Sequence, residues 1–150
     1  MIRILGAIAA VALGATAVMA QNLAPIKERQ EIMKKTNDDT KVLTAMAKGE
    51  APFDAAKAQA LLSGIEERTK KAATLFPDDS KTGEKTRASA KVWENRADFD
   101  AKLADMIKVA DNARAKATSE ASFKEIHPGV VKACDNCHAD YRIRRQQQQP

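Results

Sequence analysis

Near the C-terminus the sequence reads KACDNCHADYR. Cys134 and Cys137 bracket two residues, and His138 follows at once. They are the chain's two cysteines and one of its two histidines. On a helix the spacing i, i+3, i+4 projects all three side chains from one face. Three chemistries use such residues. Two thiols at this spacing can add to the two vinyl groups of one haem, with the adjacent imidazole placed as a proximal ligand to its iron. A Cys-x-x-Cys pair can also carry out thiol–disulfide exchange, usually where it opens a helix after a strand. The third possibility is a structural disulfide, or a zinc site needing a further ligand, for which His127 is the spare histidine. The haem reading uses every residue of the motif. The exchange reading finds no strand, and late in a helix no dipole lowers a thiol pKa.

The elements that must position the motif are helical by composition and period. Ala, Lys and Glu dominate, and strand-type runs are absent. A first helix is expected from about Pro25 to Lys48, with Gly49 as its stop. A second runs from about Asp54, a plausible cap, to Phe76. Its inner stripe is Ala58, Leu61, Leu62, Ile65, Ala72 and Leu75. The polar connection PDDSKTGEKTRASAK follows. A third helix spans about Val92 to Ala117, with Trp93, Phe99, Leu103, Met106, Ile107 and Ala110 on one side. A fourth spans about Glu120 to Arg144, striped by Phe123, Ile126, Val130, Cys134, Cys137 and Tyr141. Pro128-Gly129 is expected to kink this helix or split off its first turn. Four amphipathic helices on mostly short links predict an all-α, antiparallel four-helix bundle, up-down-up-down, enclosing one covalently bound haem.

The N-terminus sets the compartment. Arg3 precedes an apolar run from Ile4 to Ala20 that ends Val18-Met19-Ala20. This reads as a secretory signal over residues 1–20, cleaved before Gln21, which implies the periplasm and no stable membrane insertion afterwards. Residues 21–150 then form one domain, with about 146–150 as a frayed tail. The formal charge of +5 falls to about +4 without Arg3. With few aromatics and dispersed lysines, the excess reads as a solvated surface biased toward an acidic partner, not as a nucleic-acid site.

A haem in such a bundle leaves its sixth iron position to be decided. Met33, Met46, Met106 and His127 are the candidates in the mature chain. His127 shares a helix with His138 and cannot reach the opposite face of the ring. Spacing alone does not choose Met33 over Met106, and a buried methionine is most often core packing.

The signal, the four helical segments, the late Trp-containing third helix and the C-terminal CHADYR together resemble the cytochrome c′ family. The resemblance covers essentially the whole mature chain and implies one haem c on Cys134 and Cys137, with His138 proximal. In that family the residue four positions after a first-helix arginine faces the distal side of the iron. Here Arg29 leads to Met33. Ordinary members place a bulky apolar side chain there, which leaves the iron five-coordinate and high-spin, and these open-site members bind nitric oxide or carbon monoxide. A methionine resembles the low-spin branch, cytochrome c-556, as does the wording RQEIM and VLTAMAKGE. The resemblance therefore implies a periplasmic single-electron carrier with Met33 as distal ligand, not an enzyme. The gas-binding class is the alternative. Arg29 can reach a haem propionate or be a solvated surface residue, and Arg142 is placed to shield the proximal histidine. Lys132 is expected to be exposed near the haem edge. Redox partner proteins with acidic surfaces are implied. Family members occur as monomers and as homodimers through the first two helices, and the polar run KKTNDDTK favours a monomer here.

Overall fold

The computed structural model describes residues 22–144. The signal segment 1–20 and the tail 146–150 lie outside the described residues. Five α-helices follow in order: α1 (Leu23–Lys48), α2 (Ala55–Ala72), α3 (Lys91–Glu94), α4 (Arg96–Lys116) and α5 (Glu120–Tyr141), with a 3-10 turn at Asp78–Ser80. Their ends follow local chemistry. Gly49 sits at φ 75°, the left-handed region, and its N–H donates back to the carbonyls of Ala45 and Met46. The Asp54 carboxylate caps α2 by accepting from the Lys57 N–H at 2.9 Å. Ser119 and Ser122 form a reciprocal cap at the start of α5.

The four long helices pack as neighbours α1/α2, α2/α4, α4/α5 and α5/α1. Consecutive helices are therefore adjacent and the last returns to the first, as in an antiparallel bundle. The core is uneven along its length. One end is solid, where Leu43 and Met46 of α1 meet Leu62 and Ile65 of α2, Met106 and Ala110 of α4, and Phe123 and Val130 of α5. Towards the other end the apolar packing divides. Val92, Phe99, Leu103 and Tyr141 form one cluster, and Ile32, Ala72 and Leu75 another.

The structure departs from the sequence expectations at several points. The second helix stops at Ala72, not Phe76. The chain leaves the helix so that the Phe76 ring stacks edge-on against Phe99 and Trp93, with centroids 4.8 and 6.1 Å away, and Pro77 disfavours helical geometry at Phe76. The third helix is two pieces, broken at Asn95 (φ −119°, ψ 50°). The fourth ends at Tyr141, before Arg142 enters an antiparallel bridge with Ala88. Pro128 does not split it. The bond that Pro128 cannot make would go to the carbonyl of Lys124, and both residues are exposed, so water satisfies it. The polar run on α1 is not uniformly solvated either. Asp39 is 4% exposed and pairs with Arg68 of α2 and with Lys35.

Candidate haem site

Cys134, Cys137 and His138 lie in the last turns of α5 and line one wall of a cavity of about 940 Å³. Cys134 also touches the solid end of the core, its Sγ 3.7 Å from Met106 Sδ, while Cys137 packs against the Val92–Phe99–Leu103–Tyr141 cluster. Both thiols are free. Burial pushes Cys137 up to about 11, partly opposed by the Lys102 charge, and burial raises Cys134 as well. Both stay protonated at neutral pH, which makes them poor partners for thiol–disulfide exchange. Burial, and then the Arg142 charge, bring His138 down to about 4. Its imidazole is therefore neutral at pH 7 and carries a lone pair able to ligate a metal.

Met33 of α1 lines the same cavity. It is the large apolar side chain left exposed among the described residues, at 37%. The other two methionines do not line the cavity, because Met46 and Met106 are buried in the solid end of the core. His127 is also buried, with Nε2 3.2 Å from Thr44 Oγ1 and its ring tilted over Phe123. It is therefore a packing residue away from the motif. Among the described residues no group of three or more His, Cys, Asp or Glu is placed to hold a metal ion. The zinc reading of the motif thus gains no further ligand.

Arg29 is on the cavity wall but is not a solvated surface cation. It is 5% exposed. Its guanidinium donates to the Leu75 carbonyl (3.0 Å), Ser80 Oγ (2.9 Å), the Ser80 carbonyl (2.8 Å) and Thr86 Oγ1 (2.9 Å). It also lies 4.8 Å from the Phe76 ring centre. Four of its five N–H groups thus tie the connection between α2 and α3 to α1. Arg142 lines the cavity beside His138, its N–H meeting the His138 carbonyl at 3.3 Å. Trp93 is half-buried and donates from Nε1 to the Phe76 carbonyl at 3.1 Å. Tyr141 is buried and donates to Asp98 at 2.5 Å. Phe123 is fully buried. Lys132 is exposed on α5 but does not line the cavity.

Sequence reasoning missed the contribution of the polar connection. Lys85, Thr86, Arg87 and Ala88 line the cavity. They are held by the Arg29 clamp, by Gln30 donating to the Glu84 carbonyl at 2.8 Å, and by a short ladder to the chain end. In that ladder the Ser89 N–H meets the Tyr141 carbonyl at 3.0 Å and the Ile143 N–H meets the Arg87 carbonyl at 2.8 Å. No local pattern signals this, because the partners lie some fifty residues away.

The residues present fit a covalently attached haem. The volume lies in the range of about 300–1,000 Å³ usual for ligand cavities. Phe76, Val92, Phe99 and Leu103 give apolar walls for a macrocycle, and two protonated thiols and a neutral imidazole converge from α5. The family model described as Cytochrome C' matches residues 24–142. A cytochrome c' of Rhodopseudomonas palustris is 42% identical over 120 residues, covering 80% of this chain and 82% of its own. A cytochrome c-556 of the same organism is 38% identical over 137 residues, covering 89% and 91%. The solved cytochrome c' from Rhodopseudomonas palustris superposes with a TM-score of 0.78 at 41% identity, covering 81% of this chain and 97% of that one.

Proposed function

This chain belongs to the cytochrome c′ family and carries one covalently attached haem c, and we propose that it is a single-electron carrier with its iron held between His138 and Met33. The observation that carries this is the placement of Met33. It is the one methionine on the cavity wall and the large apolar side chain left uncovered there.

The haem supplies a reversible one-electron couple. The residues of the chain determine what that couple does. Cys134 and Cys137 would hold the macrocycle to α5 by thioether bonds. His138, kept neutral by its burial, offers its lone pair on the same side. Met33 brings a soft thioether from α1, which favours ferrous over ferric iron and raises the potential relative to two histidines. With both His138 and Met33 holding it, the iron would keep no open position for substrate. That suits a carrier. The similarity to a cytochrome c-556 supports this assignment. The proposal includes export to the periplasm, supported by the leader-like sequence of residues 1–20. No helix among the described residues is long and apolar enough to cross a membrane.

A second reading keeps the same cofactor. A 42% identical relative is named a cytochrome c', and resemblance to the open-site members of that family would leave the iron five-coordinate, open to nitric oxide or carbon monoxide, with Met33 unbound. Optical spectroscopy separates the two. The carrier reading expects a low-spin ferrous spectrum and a weak sulfur-to-iron charge-transfer band in the near infrared of the ferric form. It also expects slow or no carbon monoxide binding. A high-spin protein that binds carbon monoxide quickly would replace the carrier reading with the gas-binding one.

A further inference from the structure

The positive charge of the molecule is not spread evenly. The cavity wall holds Arg29, Lys34, Lys85, Arg87 and Arg142 against a single carboxylate, Asp135. The described residues together carry 23 Lys and Arg and 20 Asp and Glu, so everything outside that wall holds 18 cations against 19 carboxylates. The whole positive excess of the described chain therefore sits around the cavity. Arg29 is spent on carbonyls and hydroxyls, but its charge remains. Lys34, Lys85 and Arg142 are exposed and come from three separate segments: α1, the connection and the chain after α5. The two propionates that a haem brings neutralise at most two of the five. The opposite, solid end has no such excess. There the Lys124 ammonium pairs with Glu120 at 2.6 Å.

We infer that the rim of this cavity is the electron-transfer face and that it docks the acidic surface of a redox partner. The inference rests on the carrier reading only in requiring a redox-active haem in the cavity. One electron leaves ferrous haem for the partner, and no bond forms or breaks. A charge excess confined to one face orients an acidic protein before contact and raises its encounter rate, an effect that salt screens.

The test is stopped-flow oxidation of the ferrous holoprotein by two inorganic probes of opposite sign. These are hexacyanoferrate(III), an anion, and tris(phenanthroline)cobalt(III), a cation. With hexacyanoferrate(III) the wild-type rate should fall as ionic strength rises. The double variant Lys34→Glu with Lys85→Glu should slow it about ten-fold at low ionic strength and speed the cobalt complex. A control of equal charge change at the solid end, Lys57→Glu with Lys116→Glu, should alter either rate by less than about two-fold. Opposite shifts with the two probes exclude a mere change of driving force, which would move both rates the same way. Equal effects of the two double variants, or a wild-type rate indifferent to salt, would overturn the inference. The spin state of the iron is read separately from the spectrum, so loss of the Met33 assignment leaves this outcome legible.

Discussion

Replacing Arg29 by methionine should loosen the connection that walls the cavity while leaving the solid end of the bundle folded. The guanidinium serves four acceptors, three of them on the buried residues Leu75 and Ser80. Ser80 is fully buried, so water cannot take over its carbonyl. An abandoned buried acceptor costs about 1–3 kcal/mol. Three of them, with some relaxation, give an expected loss of about 3–6 kcal/mol, a large part of a typical domain's stability. Methionine keeps the apolar contact with Phe76, so the loss reports hydrogen bonding and charge. Arg29→Lys should recover only a minor part, because one ammonium cannot span acceptors at positions 75, 80 and 86. Guanidinium denaturation of the holoprotein measures the total. Hydrogen exchange should localise it, with faster exchange at the Ser80 and Thr86 amides, which now bond to the Pro77 and Gly83 carbonyls. A loss under about 1 kcal/mol with unchanged exchange would refute the clamp. If the variant moved only the haem's potential, Arg29 would instead be a haem-edge contact.

Met106→Ala should cost about 2–5 kcal/mol by leaving a cavity in the solid core, with the visible spectrum unchanged. Denaturation and absorption read the two halves of that statement. Asp39→Asn should cost about 1–3 kcal/mol, less than a fully buried pair because Arg68 is partly exposed, and a urea midpoint checks it. His127 is buried and held below its ordinary 6.5. The unfolded chain takes up its proton first, so stability should fall as pH drops through about 6.5. His127→Gln should reduce the slope of that part of the pH–stability curve, leave the share of His138, which is also held neutral by burial, and leave the spectrum alone. An unchanged slope in His127→Gln would assign it to another group.

The grouping of Cys134, Cys137 and His138 on one cavity wall was legible in the sequence because it is local. Residues at i, i+3 and i+4 share one helical face whatever surrounds them. The four long helices and the caps at Gly49 and Asp54 were legible for the same reason. The break at Asn95 and the early end at Ala72 were not, because they follow from where Phe76 and Trp93 pack, which is a tertiary matter. The choice between Met33 and Met106 also lies beyond spacing. Both sit on amphipathic helices, and only the packed bundle puts Met106 against Cys134 Sγ in the core and Met33 on the cavity wall. From its helical face Arg29 reads as a haem contact or a surface charge. Its hydrogen-bond partners Ser80 and Thr86 lie in a segment that looks like an ordinary polar loop.

The most direct test of the axial ligand set is the methyl NMR spectrum of the ferrous holoprotein with methyl-labelled methionine. A methionine bound to low-spin haem iron holds its methyl group over the ring, and the ring current moves that resonance far upfield of all others. One such resonance should appear. It should vanish in Met33→Ala and remain in Met46→Ala and Met106→Ala. A spectrum with no upfield methionine methyl, or one whose upfield signal disappears with Met106 instead of Met33, would contradict the account.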